Sequence, residues 1–400
     1  MRGLHASARR PWQDPLVDRT VTVGIGAATA YLGVDHVVDL GPLHPSAHGA
    51  MRLRLGLTGN GPDAVITSAV PLVGHLHRGA EKLFEVRDYR QVMALANRHD
   101  WWAAVANEVL VAHAVEWMTG ITVPARAVRL RVLLCELGRA MAHLAFLTPL
   151  TLTSTGAHTE GTTAAVTARE AVQHVLEEAS GGRIHLVVNR IGGLRDDVPE
   201  GWTDRVAAAL EVVADSLAAV RAVTVDDRDF VSLHRGVGVL GRDDALALGI
   251  TGPAGRASGV DLDLRRDDPA PGYAELAVQP VLGTAGDALA RVQGQLAEVE
   301  LAVQLAQQSL LDVPDGPVNV RLPGTVAPGE GSVYVWGEAP LGVAGVHLFS
   351  RGERTPWRLR LRTASFSNVQ ALAVLLPGTP LELLPVALGS FAVVIGDIDR

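Results

Sequence analysis

Residues 126–147 read RAVRLRVLLCELGRAMAHLAFL, and this run decides the architecture. Leu130, Leu133, Leu134, Leu137, Met141 and Leu144 recur at helical spacing, so the run predicts a long helix with an apolar face. Glu136, Arg139 and His143 follow one another at i, i+3 and i+7 on the same helix. Both charge signs and an imidazole then share one stripe of an otherwise apolar rod. Such a stripe is expected to be a buried, paired network.

Outward from this helix the pattern changes at both ends. Residues 1–20 read as a loose, basic-leaning arm, and residues 21–70 are expected to be β-rich. Within them MRLRLGL (51–57) alternates apolar and polar side chains and meets the turn GNGP (59–62), as in a hairpin. Residues 79–311 are mainly helical. One helix is expected over about 162–179, stopped by Ser180-Gly181-Gly182, and others over 204–223 and 285–311. The Pro- and Gly-rich residues 312–331 read as a linker, and 332–400 as a mixed α/β tail. The fold class is α+β: a central long-helix bundle with small flanking β-sheets.

Composition excludes whole classes of function. A net charge of −8 gives no basic surface for nucleic acid, so no nucleic-acid partner is expected. Cys135 is the single cysteine, which rules out an internal disulfide and any cysteine-ligated metal centre held by this chain alone. No metal site is expected. No run reaches the roughly 18–20 apolar residues of a spanning helix. The best candidate, 372–395, is cut by Pro377, Pro380 and Pro385 and carries Glu382. The mildly apolar 21–34 stretch is broken by glycines, with no cleavage site after it, so a secretory signal is not expected. Action at a membrane would require docking onto another subunit.

Five segments could carry chemistry. GPLHPSAHG (41–49) is a tight turn able to hold an imidazole, a group suited to a carbonyl that is protonated as it is reduced; a turn whose histidines are satisfied by backbone reads equally well. GHLHRGAEK (74–82) places Arg78 and Glu81 three apart at a helix start, where they could pair. NRHDWW (97–102) offers two adjacent indoles, able to line a tunnel for a planar ring or to pack a helix start. The Glu136, Arg139, His143 stripe is the fourth. GGRIH (181–185) with NRIGG (189–193) sets basic side chains beside a flexible turn, either to donate to an anionic cluster on a neighbour or to brace a loop.

Taken in order, GPLHPSAHG, GHLHRGAEKL, NRHDW, RVLLCELGR, GGRIH, NRIGG, RGVGVL, TGPAGRASGVDLDLR, LRTASFSNVQAL and the terminal GDIDR resemble the motif series of the D-type subunit of NADH-quinone oxidoreductase, respiratory complex I. The resemblance runs over residues 41–400. It implies a fold like the large subunit of nickel–iron hydrogenases, without that enzyme's four metal-binding cysteines. It further implies a peripheral subunit on the cytoplasmic side of the cell membrane, beside the B-type iron–sulfur subunit, the C- and I-type subunits and the H-type membrane subunit. A [4Fe–4S] cluster held by the B-type subunit would pass electrons to a quinone, expected to be menaquinone. NAD would bind on another subunit, and proton translocation would be coupled in the membrane part.

Carried over residue by residue, His48 matches the histidine that hydrogen-bonds a quinone carbonyl, while Arg98 and His185 match residues beside the cluster. Trp101 stands where the family has a tyrosine, and Ser154 where it has an aspartate paired with the quinone histidine. Ser390-Phe391-Ala392-Val393 replaces a Ser-Leu-Asp-Pro run, and the loop at 338–342 lacks its arginine. These departures mark a divergent member. A scaffold or assembly paralogue that keeps the fold without reducing quinone is the alternative; a nickel–iron hydrogenase fails on cysteine count.

Overall fold

The computed structural model describes residues 19–25, 37–39, 49, 51–59, 64–152, 159–311 and 313–400. Four strands, β1 (Arg19–Ile25), β2 (Val37–Asp39), β3 (Met51–Thr58) and β4 (Val65–Leu72), form a sheet in the order β2-β1-β3-β4. β3 and β4 pair antiparallel, as the alternation of 51–57 requires, and Met51, Leu53, Leu55 and Leu57 all point into the core. Short helices α1 (Ala80–Phe84) and α2 (Tyr89–Ala96) lead to the long α3 (Ala104–Thr119), α4 (Ala125–Leu150) and α5 (Thr159–Ser180). The hairpin β5 (Asn189–Arg190) and β6 (Gly193–Leu194) follows, and then α6 (Trp202–Ala222) and α7 (Arg228–His234). The glycine-rich 236–259 segment contains α8 (Arg242–Ala247) and α9 (Gly252–Ala257).

After α10 (Leu264–Asp267) and the long α11 (Ala288–Leu310), the linker gives way to an antiparallel sheet of β7 (Glu330–Ala339), β8 (Gly342–Arg351) and β9 (Arg358–Arg362). The tail closes with α12 (Ala364–Asn368), α13 (Leu372–Leu375), α14 (Leu384–Ser390) and α15 (Ile395–Asp399). The helical part of the mixed α/β tail is thus in short pieces. α4, α5, α6 and α11 begin and end within three residues of the expected bounds, whereas α3 had no expected range of its own. No helix among the described residues is long and apolar enough to cross a membrane.

Three apolar clusters hold these parts. The largest joins α4, α5, α6 and α11 through residues such as Leu133, Leu137, Val172, Leu210 and Leu296. A second glues β3 to the tail helices, and a third packs α2 and α3 on β7, β8 and β9. α4 is apolar on nearly every side, because it runs through the middle of the molecule.

Its polar stripe is buried, and the partners come from far along the chain. Arg139 Nε donates to Glu136, while its Nη atoms donate to the Ala339 and Glu338 carbonyls. Arg265 bridges Glu136, Asp263 and Glu298 at 2.7–3.2 Å. Arg256 joins Glu298 at 2.6 Å to Glu338 at 2.8 Å, and the Tyr273 hydroxyl donates to Glu136 at 2.6 Å. Burial alone would raise the Glu298 carboxyl, but Arg256 and Arg265 more than reverse it and hold it well below the usual range. His143 shares the stripe without a hydrogen bond among the described residues, and burial lowers its imidazole to about 3.

Removing one partner from such a network leaves a buried charge uncompensated. Arg265→Met is therefore expected to lower the unfolding free energy by about 3–5 kcal/mol, seen as an early urea midpoint. Arg205→Met, at an exposed pair with Glu178, is expected to leave the midpoint where it is.

Candidate functional site

The NRHDWW segment lies between α2 and α3, and its side chains divide by direction. Asn97, His99 and Asp100 are buried; Arg98 and the two indoles are partly exposed. Asp100 Oδ1 accepts from the Trp102 and Ala103 amides at 3.0 and 3.2 Å, which fixes the turn into α3. Asn97 Nδ2 donates to Glu108 Oε1 at 2.8 Å and to the Leu186 carbonyl at 3.3 Å. The other Glu108 oxygen accepts from the Val188 and Asn189 amides and from Asn189 Nδ2. Burial raises Glu108 to about 7 against these donors.

One buried carboxylate thus ties the 97–102 turn to the 186–189 segment leading into β5, and this brings Arg98 and His185 together. His185 is exposed, its imidazole lowered first by partial burial and then by the charges of Arg98 and Arg78. Arg78 is anchored by donating to the Arg98 carbonyl at 2.9 Å. The expected Arg78–Glu81 pair does not form. Glu81 instead accepts from Arg358 at 2.8 Å and from the Leu361 amide at 3.0 Å, because β9 runs alongside α1. Three cationic or imidazole groups therefore share one surface patch.

The chain terminus closes the site from the other side. Asp397 lies between the buried His99 ring, 3.6 Å away, and the Ser365 amide, which donates to it at 2.9 Å. Thr363 Oγ1 donates to the Asp397 carbonyl. Two residues on, the Asp399 carboxylate accepts from the Gly74 and Leu76 amides at 2.6 and 2.7 Å. Arg400 reaches Glu81 at 3.4 Å and lies 4.6 Å from the Phe366 ring. GDIDR is therefore a clasp on the GHLHRGAE, NRHDWW and LRTASFS segments at once.

Glycine is required where the clasp seats. A Cβ on Gly396 would stand 2.5 Å from the His99 carbonyl oxygen and 2.8 Å from Trp101 Cζ3. A Cβ on Gly49 would stand 2.6 Å from Ile395 Cβ and 2.9 Å from Leu76 Cδ1. The described end of the GPLHPSAHG motif and the Trp101 ring thus both lie against α15. His48 and Ser154 themselves fall outside the described residues. Behind this wall Phe146, Leu341, Ala364 and Val394 form a small apolar cluster that packs Trp101, Trp102 and Ala392.

His99, Asp100, Glu108, Asp397 and Asp399 were not singled out from the sequence. Except for Asp100, which caps its own turn, their partners lie far away in the chain, so no local period marks them; only the two acids of GDIDR gave a hint. Cys135 is half-buried beside the ionic network, and desolvation pushes its thiol up to about 12, away from the thiolate form. Among the described residues no group of three or more His, Cys, Asp and Glu could hold a metal ion.

Comparison with known proteins gives the class first: subunits of a respiratory-chain oxidoreductase. The model of the family described as "Respiratory-chain NADH dehydrogenase, 49 Kd subunit" matches residues 155–330 and 323–400. The second of the D-type NADH-quinone oxidoreductase subunits of Salinispora tropica is 50% identical over 384 residues, covering 96% of this chain and 97% of that protein. The first D-type subunit of Streptomyces coelicolor is 47% identical over 95% of this chain and 98% of its own length. The D-type subunit of Geobacillus thermodenitrificans is 36% identical over 91% of this chain and 98% of its own length. The chain belongs to the family of D-type, or 49 Kd, subunits of NADH-quinone oxidoreductase.

Burial raises Asp397 from 3.8 to about 6, against the donors from Ser365 and the charge of Arg400. The folded state therefore keeps a proton through a window, about pH 4 to 6, in which the unfolded chain has released it. The stability lost to ionising Asp397 appears as pH rises through that window. Relative to the parent, Asp397→Asn is expected to gain on the order of 2–3 kcal/mol of stability between pH 4 and pH 7. His99, lowered to about 3, acts with the opposite sign, so the comparison is the difference between the two unfolding curves measured across pH.

Proposed function

We propose that this chain is the quinone-site subunit of a proton-translocating NADH:quinone oxidoreductase. The observation that carries the reading is convergence. Gly49, the described end of the GPLHPSAHG motif, and the Trp101 ring meet on α15, while Arg98 and His185 form a patch on the neighbouring surface. Quinone, taken as menaquinone, is the substrate. The [4Fe–4S] cluster of a B-type partner subunit supplies the electrons, and NAD binds elsewhere in the complex. The C- and I-type subunits and the H-type membrane subunit complete its surroundings, with this chain peripheral on the cytoplasmic side of the cell membrane.

In this reading each residue of the chain has a separate task. His48 donates a hydrogen bond to one quinone carbonyl as charge develops on its oxygen. The Trp101 indole supplies a flat wall and one N–H donor, but no titratable proton. Arg98 and His185 face the partner's cluster, where added negative charge is favoured beside a fixed guanidinium. Asp397 and His99 touch neither group; they hold the clasp that keeps Trp101 in place. The relatives' names give no support to a non-catalytic scaffold, and no feature of the site requires one.

His48→Ala is expected to abolish NADH:quinone turnover in membranes while NADH oxidation by an artificial hydrophilic acceptor continues. Unchanged quinone turnover would remove His48 from the mechanism. Arg98→Met takes away a positive charge, so the partner cluster's midpoint potential is expected to fall by on the order of tens of millivolts in an EPR titration.

A further inference from the structure

Next to the Arg78, Arg98 and His185 patch lies a groove of about 490 Å³ bordered by Arg90, Arg190, Arg195 and Arg321. Its floor is apolar and includes Met93, Ile191 and Leu322. On a chain of net charge −8, four guanidinium groups around one groove run against the general trend. Among the described residues only Asp196 forms an ion pair with one of them, through Arg195 Nε at 2.6 Å.

Three of the four cations are held in place by backbone. Arg90 donates to the Pro323 and Gly324 carbonyls, Arg190 Nη2 to the Val320 carbonyl at 3.0 Å, and Arg195 Nη1 to the Val187 carbonyl at 3.1 Å. The buried Nε of Arg190 has no partner among the described residues. Arg321 is exposed and makes no hydrogen bond or ion pair among them. The groove therefore presents fixed positive charge with donors left over.

We infer that an acidic segment of the cluster-bearing partner subunit lies in this groove, its carboxylates on Arg190 and Arg321 and its apolar side chains on the floor. The inference rests on the quinone-site reading, which puts that partner over Arg98 and His185. Continuity extends its footprint: Met93 and Ala94 stand on the helix that ends just before Asn97-Arg98, and Val187 follows His185 by two residues. Two features favour a polypeptide over a small anion. The free donors sit on separate elements rather than converging on one point, and the apolar floor would be left uncovered by phosphate alone.

Arginine modification by phenylglyoxal in the intact purified complex, read by peptide mass spectrometry against the urea-unfolded sample, tests this. Arg98 and Arg321 should both be protected, and Arg321→Glu should make the partner dissociate at lower salt than in the parent complex. Arg98 protected with Arg321 freely labelled would overturn the groove assignment alone; both freely labelled would bring down the partner placement as well. Protection of Arg321 that survives removal of the partner identifies a lipid or small anion as the occupant and also overturns the inference. So does an Arg321→Glu complex whose salt threshold is unchanged.

Discussion

The structure depends on a set of charges that have no water to dissolve in. Arg139, Arg256 and Arg265 face Glu136, Asp263, Glu298 and Glu338, all buried, at the crossing of α4, α9, α10, α11 and β7. Any one of these groups alone in that interior would be driven to neutralise or to pull the fold open. Together they satisfy one another, and the guanidinium fork suits the task because each arginine can serve two or three acceptors at once. Four acids against three bases leave one negative charge in excess. Burial raises Glu338, so it is the member most ready to take up a proton.

A network of this kind specifies geometry more than it adds stability. Apolar packing along α4 would tolerate small rotations of the helix, since leucine faces leucine on several sides. The ionic contacts do not tolerate them, because a turn of α4 would strand Glu136 away from both Arg265 and Tyr273. Arg139 also fixes the end of β7 through two carbonyls, and the turn from β7 into β8 carries Leu341 into the apolar cluster behind Trp101. The position of the candidate quinone wall is in this way set from the middle of the molecule.

How much of this could be read beforehand follows from the reach of each interaction. The helix at 126–147 and the hairpin at 51–57 repeat within a few residues, so their patterns are local and legible. The polar stripe on α4 was legible as a stripe, whereas its partners were not: Arg256 and Glu338 are 82 residues apart, and nothing in either neighbourhood names the other. The Arg78–Glu81 pairing failed for the same reason. Sequence spacing allowed it, but Arg358 from β9 and the tail arginine offered Glu81 better-placed donors. Ordered motifs did recover Arg98 and His185 as neighbours; only the geometry exposed Glu108 as the residue that joins them.

The clasp at the terminus explains why residues remote from any substrate must keep their chemistry. Asp399 takes two amides of the 74–76 turn, Asp397 meets His99, and Gly396 lets Trp101 approach the backbone. None of these contacts exists until the tail has returned across the bundle, so the wall of the site is completed by the last residues of the chain. His99 also shows why the sequence NRHDWW is so mixed. A neutral imidazole facing inward meets the tail and a buried carboxyl caps the turn into α3, while the cation and the indoles beside them are partly exposed towards the patch and the wall. Buried and partly exposed residues share one short turn, so substituting the inward set would disturb the outward set without touching it.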